Sequence, residues 1–299
     1  MKSQFFSSHA LAALTLLNTC TSSALPGALP DSAASTVGSA SSTFSLSKKA
    51  GLSGYVGIGS KAGFKSLQPY ISWYSDYSPT TPSIGNVKGI PMLWGDGVSC
   101  NTATNTVDKD RLAAFDSLKT APEIIFGLYE PDWTCPDSSQ VSVANATKLW
   151  NNKLAPLAIN NGTVLGSPSM ATQASETWLA NFSTTALKAN WTYTSVHINK
   201  NNIAGIQKDV EHYKKYGKKI WVSEFACVND VNGFQPCTDQ TLINEFLKNA
   251  TSYFESNDDI VAYGPSNGNG LGKVWPLFNS STGELTATGR TYLSLIGGS

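Results

Sequence analysis

The chain has 299 residues, with 21 basic and 21 acidic side chains and only 3 histidines. That neutrality, without any run of Lys or Arg, excludes an electrostatic footprint for nucleic acid or anionic lipid and leaves neutral partners. Glycine-rich phosphate loops, HExxH and CxxC pairs are also absent, so no cofactor and no metal are expected.

Met1 to about Ala24 carries one Lys and then an apolar run through Leu11, Leu14, Leu16 and Leu17. This is the pattern of a secretory signal peptide cleaved after Ser22-Ser23-Ala24, and it is too short for a membrane span. Residues 25–49 are rich in Ser, Ala and Thr, a composition that buries too little apolar surface to offset ordering entropy and predicts a disordered leader. Residues 50–299 follow without a composition break and have the size of one barrel domain, about 250 residues. A secreted monomer, extracellular or wall-associated, is the expectation. The end, Leu295-Ile296-Gly297-Gly298-Ser299, carries no apolar tail and predicts no lipid anchor.

Cys20 would leave with the signal, so Cys100, Cys135, Cys227 and Cys237 remain, an even number in an oxidising route. Of three connectivities, Cys100 with Cys135 and Cys227 with Cys237 is favoured, because each pair falls in loops after neighbouring strands or the same strand. Asn145, Asn161, Asn181, Asn190, Asn249 and Asn279 each open an Asn-x-Ser/Thr sequon and are candidate glycosylation sites.

Runs with strand character recur at Tyr55–Gly59, Ile71–Tyr74, Ile90–Trp94, Glu123–Tyr129, Val164–Pro168, Thr194–Asn199, Lys219–Phe225 and Ile260–Gly264. Between them, Asp110–Leu118, Val141–Leu157, Ser175–Phe182, Ile203–Tyr216 and Leu242–Phe254 show helical periodicity, with Gly217 placed as a left-handed cap. This alternation predicts an α/β fold, a single-domain (β/α)8 TIM barrel around a parallel sheet.

In such barrels chemistry gathers at the C-terminal ends of the strands. Those ends carry aromatic, amide and carboxylate groups suited to a neutral polyhydroxylated ligand. Side-chain alternation puts Ile124, Phe126, Leu128 and Glu130 on one face, and Ile220, Val222 and Glu224 on another such face with Trp221 turned away. The two carboxylates would converge across the mouth. A separation of about 5–5.5 Å would let one attack a sugar carbon while the other protonates the leaving oxygen, with retention; about 6.5–9.5 Å would leave room for a water and give inversion. Trp73, Trp94, Trp133, Tyr263 and Trp275 are candidates for stacking on sugar C–H faces, while Trp150, Trp178, Trp191 and Trp221 read as core. His197 reads equally as a core group or as one that orients Glu224 or a sugar hydroxyl, and His212, beside Lys214 and Lys215, as a solvated helix residue. Gly264–Gly268 matches GxSxG formally, but no His follows Ser266, which removes the esterase reading.

GLYEPDW at Gly127–Trp133 and KIWVSEFAC at Lys219–Cys227 resemble the two catalytic segments of glycoside hydrolase family 128, which contains the fungal Asl1-like cell-wall proteins. The similarity continues through GSPSM at Gly166–Met170, the His197 strand and GELTATGRTYL at Gly283–Leu293. The resemblance implies a β/α barrel and retaining hydrolysis of β-1,3-glucan, with Glu130 as acid/base and Glu224 as nucleophile. Two positions depart from the usual pattern. Tyr129 stands where an Asn normally binds the sugar 2-hydroxyl, and Asn199 stands where a Tyr normally supports the nucleophile. An exchange of roles between Tyr129 and Asn199 keeps both in the substrate-binding set. The rival reading is a β-1,3-glucan-binding wall protein that keeps the cleft without turnover; a third is a structural wall protein.

Overall fold

A computed structural model describes residues 44–101 and 106–297. The predicted signal and most of the leader lie outside the described residues. The leader's last residues, 44–49, do not: Phe44 is buried with its ring 5.9 Å from that of Trp221. Lys49 Nζ donates to the carbonyls of Phe254, Glu255 and Asn257 at 3.1, 2.8 and 3.0 Å. A cation there satisfies carbonyls that a helix end leaves unpaired. The packed domain therefore starts before the predicted boundary at residue 50.

Three parallel strands, β1 (Gly51–Leu52), β2 (Trp73–Tyr74) and β3 (Lys88–Gly89), form one sheet. In the second sheet, β4 (Ile124–Phe126), β5 (Val164–Gly166), β6 (Tyr193–Lys200) and β7 (Lys219–Asn229) run parallel in that order. The short β8 (Gln235–Pro236) turns back antiparallel on the end of β7, and β9 (Ile260–Pro265) lies parallel along the other edge of β7. Isolated parallel bridges pair Met92 with Phe126, Ala50 with Tyr263, and Ser53 with Ser266, so the sheets meet at both edges. The product is an α/β domain with a curled parallel sheet.

The helices are α1 (Phe64–Leu67), α2 (Val107–Asp116), α3 (Val143–Leu149), α4 (Ala155–Asn161), α5 (Trp178–Ser183), α6 (Ile203–Lys214), α7 (Gln240–Ser256) and α8 (Ala287–Ile296). A π-helical turn at Trp150–Leu154 joins α3 to α4, so the predicted Val141–Leu157 helix is one interrupted rod. At the starts of α6, α7 and α8 a polar side chain takes an unpaired N–H: Asn202 accepts from Gly205, Asp239 from Leu242 and Thr286 from Gly289. On α7 the residues Ile243, Phe246, Leu247, Ala250 and Phe254 are buried, as the i, i+3/i+4 stripe predicts. The α8 helix was not predicted.

The first strand lies earlier than predicted. Tyr55–Gly59 is turn and 3-10 structure, with Gly57 at φ 63°, and the ladder uses Ala50–Ser53 instead. Leu52 accepts from Ser75 N–H at 3.0 Å and Ser53 donates to Pro265 at 3.1 Å. A Cβ on Gly51 would stand 2.2 Å from the indole of Trp73, so glycine here makes room for that ring.

Two apolar layers result. Trp73, Met92, Ile124, Phe126, Trp221 and Ala262 fill the inside of the curl with Phe44, whereas Ile125, Val196, Ile198, Ile220, Val222 and Phe225 face the helices. The faces of β7 are thus the reverse of those predicted, with Trp221 inward and Ile220 and Val222 outward. Leu128 likewise joins the outer layer.

Candidate active site

Two irregularities bring the carboxylates to one place. In β7, Val222 pairs with Val196 but Glu224 pairs with His197, so Ser223 is an extra residue. Both neighbours of β7 skip there, since Val222 pairs with Tyr263 and Phe225 with Pro265 on β9. This β-bulge resets the alternation. Without it Glu224 would share the outward face of Ile220 and Val222. After β4 the chain passes Gly127, and Glu130 adopts the left-handed region at φ 44°. Such a conformation is costly for a residue with a Cβ and persists where surrounding structure holds it.

One oxygen of Glu130, one of Glu224 and a ring nitrogen of His197 lie within 4.8 Å of one another. Both carboxylates are buried. Glu224 Oε2 accepts from Tyr77 Oη at 2.5 Å and from Tyr129 Oη at 3.2 Å. Glu130 Oε1 pairs with His197 Nδ1 at 2.7 Å, and its Oε2 accepts from Ser138 Oγ at 2.6 Å. Burial disfavours a charged His197, but the negative Glu224 and Glu130 outweigh it and hold the imidazole above its ordinary value. Burial, and then the charge of Glu224, push the Tyr77 and Tyr129 hydroxyls well up, so both stay donors. Among the described residues this trio is the one grouping of three His, Cys, Asp or Glu side chains able to hold a cation. Its present bonds are those of an oriented carboxylate pair.

The other predicted residues divide. Asn199 is buried at the end of β6, where its N–H donates to Gln173 Oε1 at 2.9 Å while its own Oδ1 accepts no hydrogen bond. Trp94 stacks on Tyr129 at 6.0 Å and 15°, with the Arg111 guanidinium 4.7 Å over its ring, so it backs the site. Trp133 stands 54 % exposed, three residues beyond Glu130. Trp73, Tyr263 and Trp275 are corrected to core, each at most 1 % exposed. Trp73 lies inside the curl and donates to Lys49 O, at 3.1 Å. Tyr263 follows the inward Ala262, so alternation sends it outward to Glu255, at 2.6 Å. Trp275 donates to Ser266 O at 2.8 Å and packs on Phe225 and Phe246. His212 is no solvated residue, since its Nε2 meets the buried Glu176 at 2.8 Å.

Both predicted disulfides are present, Cys100–Cys135 and Cys227–Cys237. The six sequon asparagines are exposed. Tyr77 and Ser138 escaped the sequence reading because both lie in loops and neither belongs to a recognisable motif. Asp132 of the EPD segment has a local task, accepting from the N–H groups of Ala171 and Thr172 at 2.9 and 3.0 Å and so tying the loops after β4 and β5.

Residues 52–292 match the family model of the glycosyl hydrolase catalytic core. Among curated proteins, alkali-sensitive linkage protein 1 of Schizosaccharomyces pombe is 25% identical over 197 residues, which are 64% of this chain and 36% of that protein. The chain therefore aligns with only about a third of that relative's length. Two solved structures of family 128, subgroup VII, are similar. The oligosaccharide-binding protein of Cryptococcus neoformans shares 40% identity over 86% of this chain and 99% of its own, with a TM-score of 0.76. That of Trichoderma gamsii shares 36% over 85% and 95%, with the same TM-score of 0.76. A subgroup I endo-β-1,3-glucanase of Amycolatopsis mediterranei, solved with laminaripentaose, is 18% identical over 83% and 99%, with a TM-score of 0.63, and shares the fold.

Proposed function

Because the chain belongs to glycoside hydrolase family 128, we propose that its cleft binds β-1,3-linked gluco-oligosaccharides, with Glu130 and Glu224 on either side of one glycosidic bond. The observation that carries this reading is the pair of buried carboxylates, oxygens within 4.8 Å, each already oriented by its own donors. The relatives at 36% and 40% identity are oligosaccharide-binding proteins, which favours binding as the retained activity. In this reading the fold is a closed (β/α)8 barrel whose ring is completed by the bridges at Met92, Ala50 and Ser53. The protein is secreted to the cell exterior or wall as a monomer, with its exposed sequons glycosylated.

A second reading, hydrolysis, is favoured by the closeness of the two acids, one oxygen of each lying within 4.8 Å of the other, as retaining chemistry needs a nucleophile and an acid on one bond. Glu224, held by two tyrosine hydroxyls, would attack the anomeric carbon. Glu130 would protonate the departing oxygen and then take a proton from the water that releases the sugar. Tyr129 supports Glu224 as the missing tyrosine would, and Asn199, whose buried amide oxygen has no protein partner, takes the other half of the exchange.

Calorimetry and product analysis with laminari-oligosaccharides, on wild type and Glu224→Gln, test both. Binding without products supports the first reading; products of retained configuration, lost in Glu224→Gln, support the second. Neither binding nor cleavage would overturn both.

A further inference from the structure

Among the described residues only two aromatic side chains are exposed, Trp133 at 54 % and Phe234 at 53 %; every other Trp, Phe and Tyr is buried or half-buried. Each stands on the segment that follows one of the two carboxylates. Trp133 comes three residues after Glu130 and Phe234 ten after Glu224. One exposed ring needs no explanation. Two, placed on the two segments that leave the same pair of acids, do.

Phe234 sits on the β7–β8 hairpin, which bends at Gly233 with φ 96°. That hairpin has only two ladder pairs, Val228 with Pro236 and Asn229 with Gln235. So short a ribbon is marginal alone. Its base is instead tied by Cys227–Cys237 and by the Cys237 N–H donating to Cys227 O at 3.0 Å. The covalent tie thus holds an aromatic ring that the core does not.

The strip Gly268–Gly272 connects this ring to the acids. A Cβ on Gly268 would lie 3.5 Å from Glu224 Oε1, and one on Gly270 would lie 3.7 Å from the Phe234 ring. Two residues of chain span at most about 7 Å. Glycines at 268, 270 and 272 remove every other side chain from this path; between them Asn269 donates to Asp137 Oδ1 at 3.5 Å and Leu271 is buried.

We propose that Phe234 is a sugar-stacking platform that extends the oligosaccharide site on the Glu224 side, the ligand running along the glycine strip. This rests on the reading of the cleft as a gluco-oligosaccharide site. A flat ring offers apolar contact to the C–H face of a glucose unit, while hydroxyls meet the strip's backbone. Trp133, exposed on the segment that follows Glu130, is a second ring open to the ligand.

The test is titration of wild type, Phe234→Ala and Phe234→Trp with laminaritriose and laminarihexaose. Phe234→Ala should weaken the hexaose about tenfold and leave the triose within about twofold, and Phe234→Trp should restore the hexaose. Because the side chain is exposed, the thermal midpoint should stay put. An unchanged hexaose affinity in Phe234→Ala overturns the platform while leaving the site itself intact. Equal weakening of both sugars also overturns it, since the ring would then act on the centre rather than on an extension. Failure of wild type to bind either sugar overturns the platform together with the site.

Discussion

Tyr77 donates its hydroxyl to Glu224 Oε2 at 2.5 Å across 147 residues of sequence. It reaches that position from the loop after β2, with a left-handed backbone at φ 62°, and its ring packs 4.9 Å from that of Tyr129, the second donor to the same carboxylate. Hydrogen bonds to buried charge are worth about 1.5–3 kcal/mol each. Tyr77→Phe should therefore lower the unfolding free energy by about that amount. In a Glu224→Gln background the loss should shrink, because the charge is gone. Denaturant titrations of the four proteins give the coupling, and equal losses in both backgrounds would contradict this pairing.

Asn199 presents the opposite case, a buried amide oxygen that accepts nothing from the protein. Its removal costs no protein hydrogen bond through that atom, and in the proposed reading it takes away a group that bonds the sugar. Asn199→Ala should weaken oligosaccharide binding about tenfold, the worth of one good hydrogen bond, with little change in stability. Unchanged affinity would end the idea that Asn199 and Tyr129 have exchanged roles.

The charge on His197 gives a pH signature. Glu130, Glu224, Asp132 and Tyr129 surround it, and the folded protein holds its proton above the ordinary value of 6.5. A raised folded value means that the stabilisation is complete below the unfolded value and is lost as pH rises through the folded one. The stability difference between wild type and His197→Gln should therefore be larger near about pH 5 than near about pH 9. Paired unfolding curves at those two pH values measure it, and a difference that grows with pH would contradict it.

The Cys227–Cys237 disulfide closes a separation of 10 residues. Chain-entropy arguments put its contribution at about 2–3 kcal/mol. Replacing both cysteines by Ser should lower stability by about that amount. It should also reproduce the selective loss of long-oligosaccharide affinity expected of Phe234→Ala. Full hexaose affinity in the double variant would show that the hairpin keeps its place without the bond.

Several parts of this site were legible one residue at a time. Glu130 and Glu224 stand out because each follows an apolar strand run and carries a motif around it. The cysteine pairs were legible because only those pairings join loops of adjacent or identical strands. The direction of the two acids was not. Strand parity placed Glu224 with Ile220 and Val222, yet the extra residue Ser223 turns it inward, and no local residue preference announces a bulge. Parity also hid Trp73 and Tyr263, because the observed register puts Trp73 and Ala262 inside and Tyr263 outside, while Trp275 is drawn into the core from a loop by Phe225, Phe246 and Ser266 O.

By itself the sequence determined the alternation of strands and helices from β4 to α7 and the partners of the cysteines, and it singled out Glu130 and Glu224 as candidates. These depend on periodicity and short-range hydrogen bonds that a few neighbouring residues supply. Only the tertiary structure decided that Tyr77, Ser138 and His197 are the groups that hold those acids, and that Phe44 belongs to the core. The hydrogen bonds to the two acids join residues from 8 to 147 positions apart through a bulge, a left-handed Glu130 and a curled sheet, all set by packing over the whole domain.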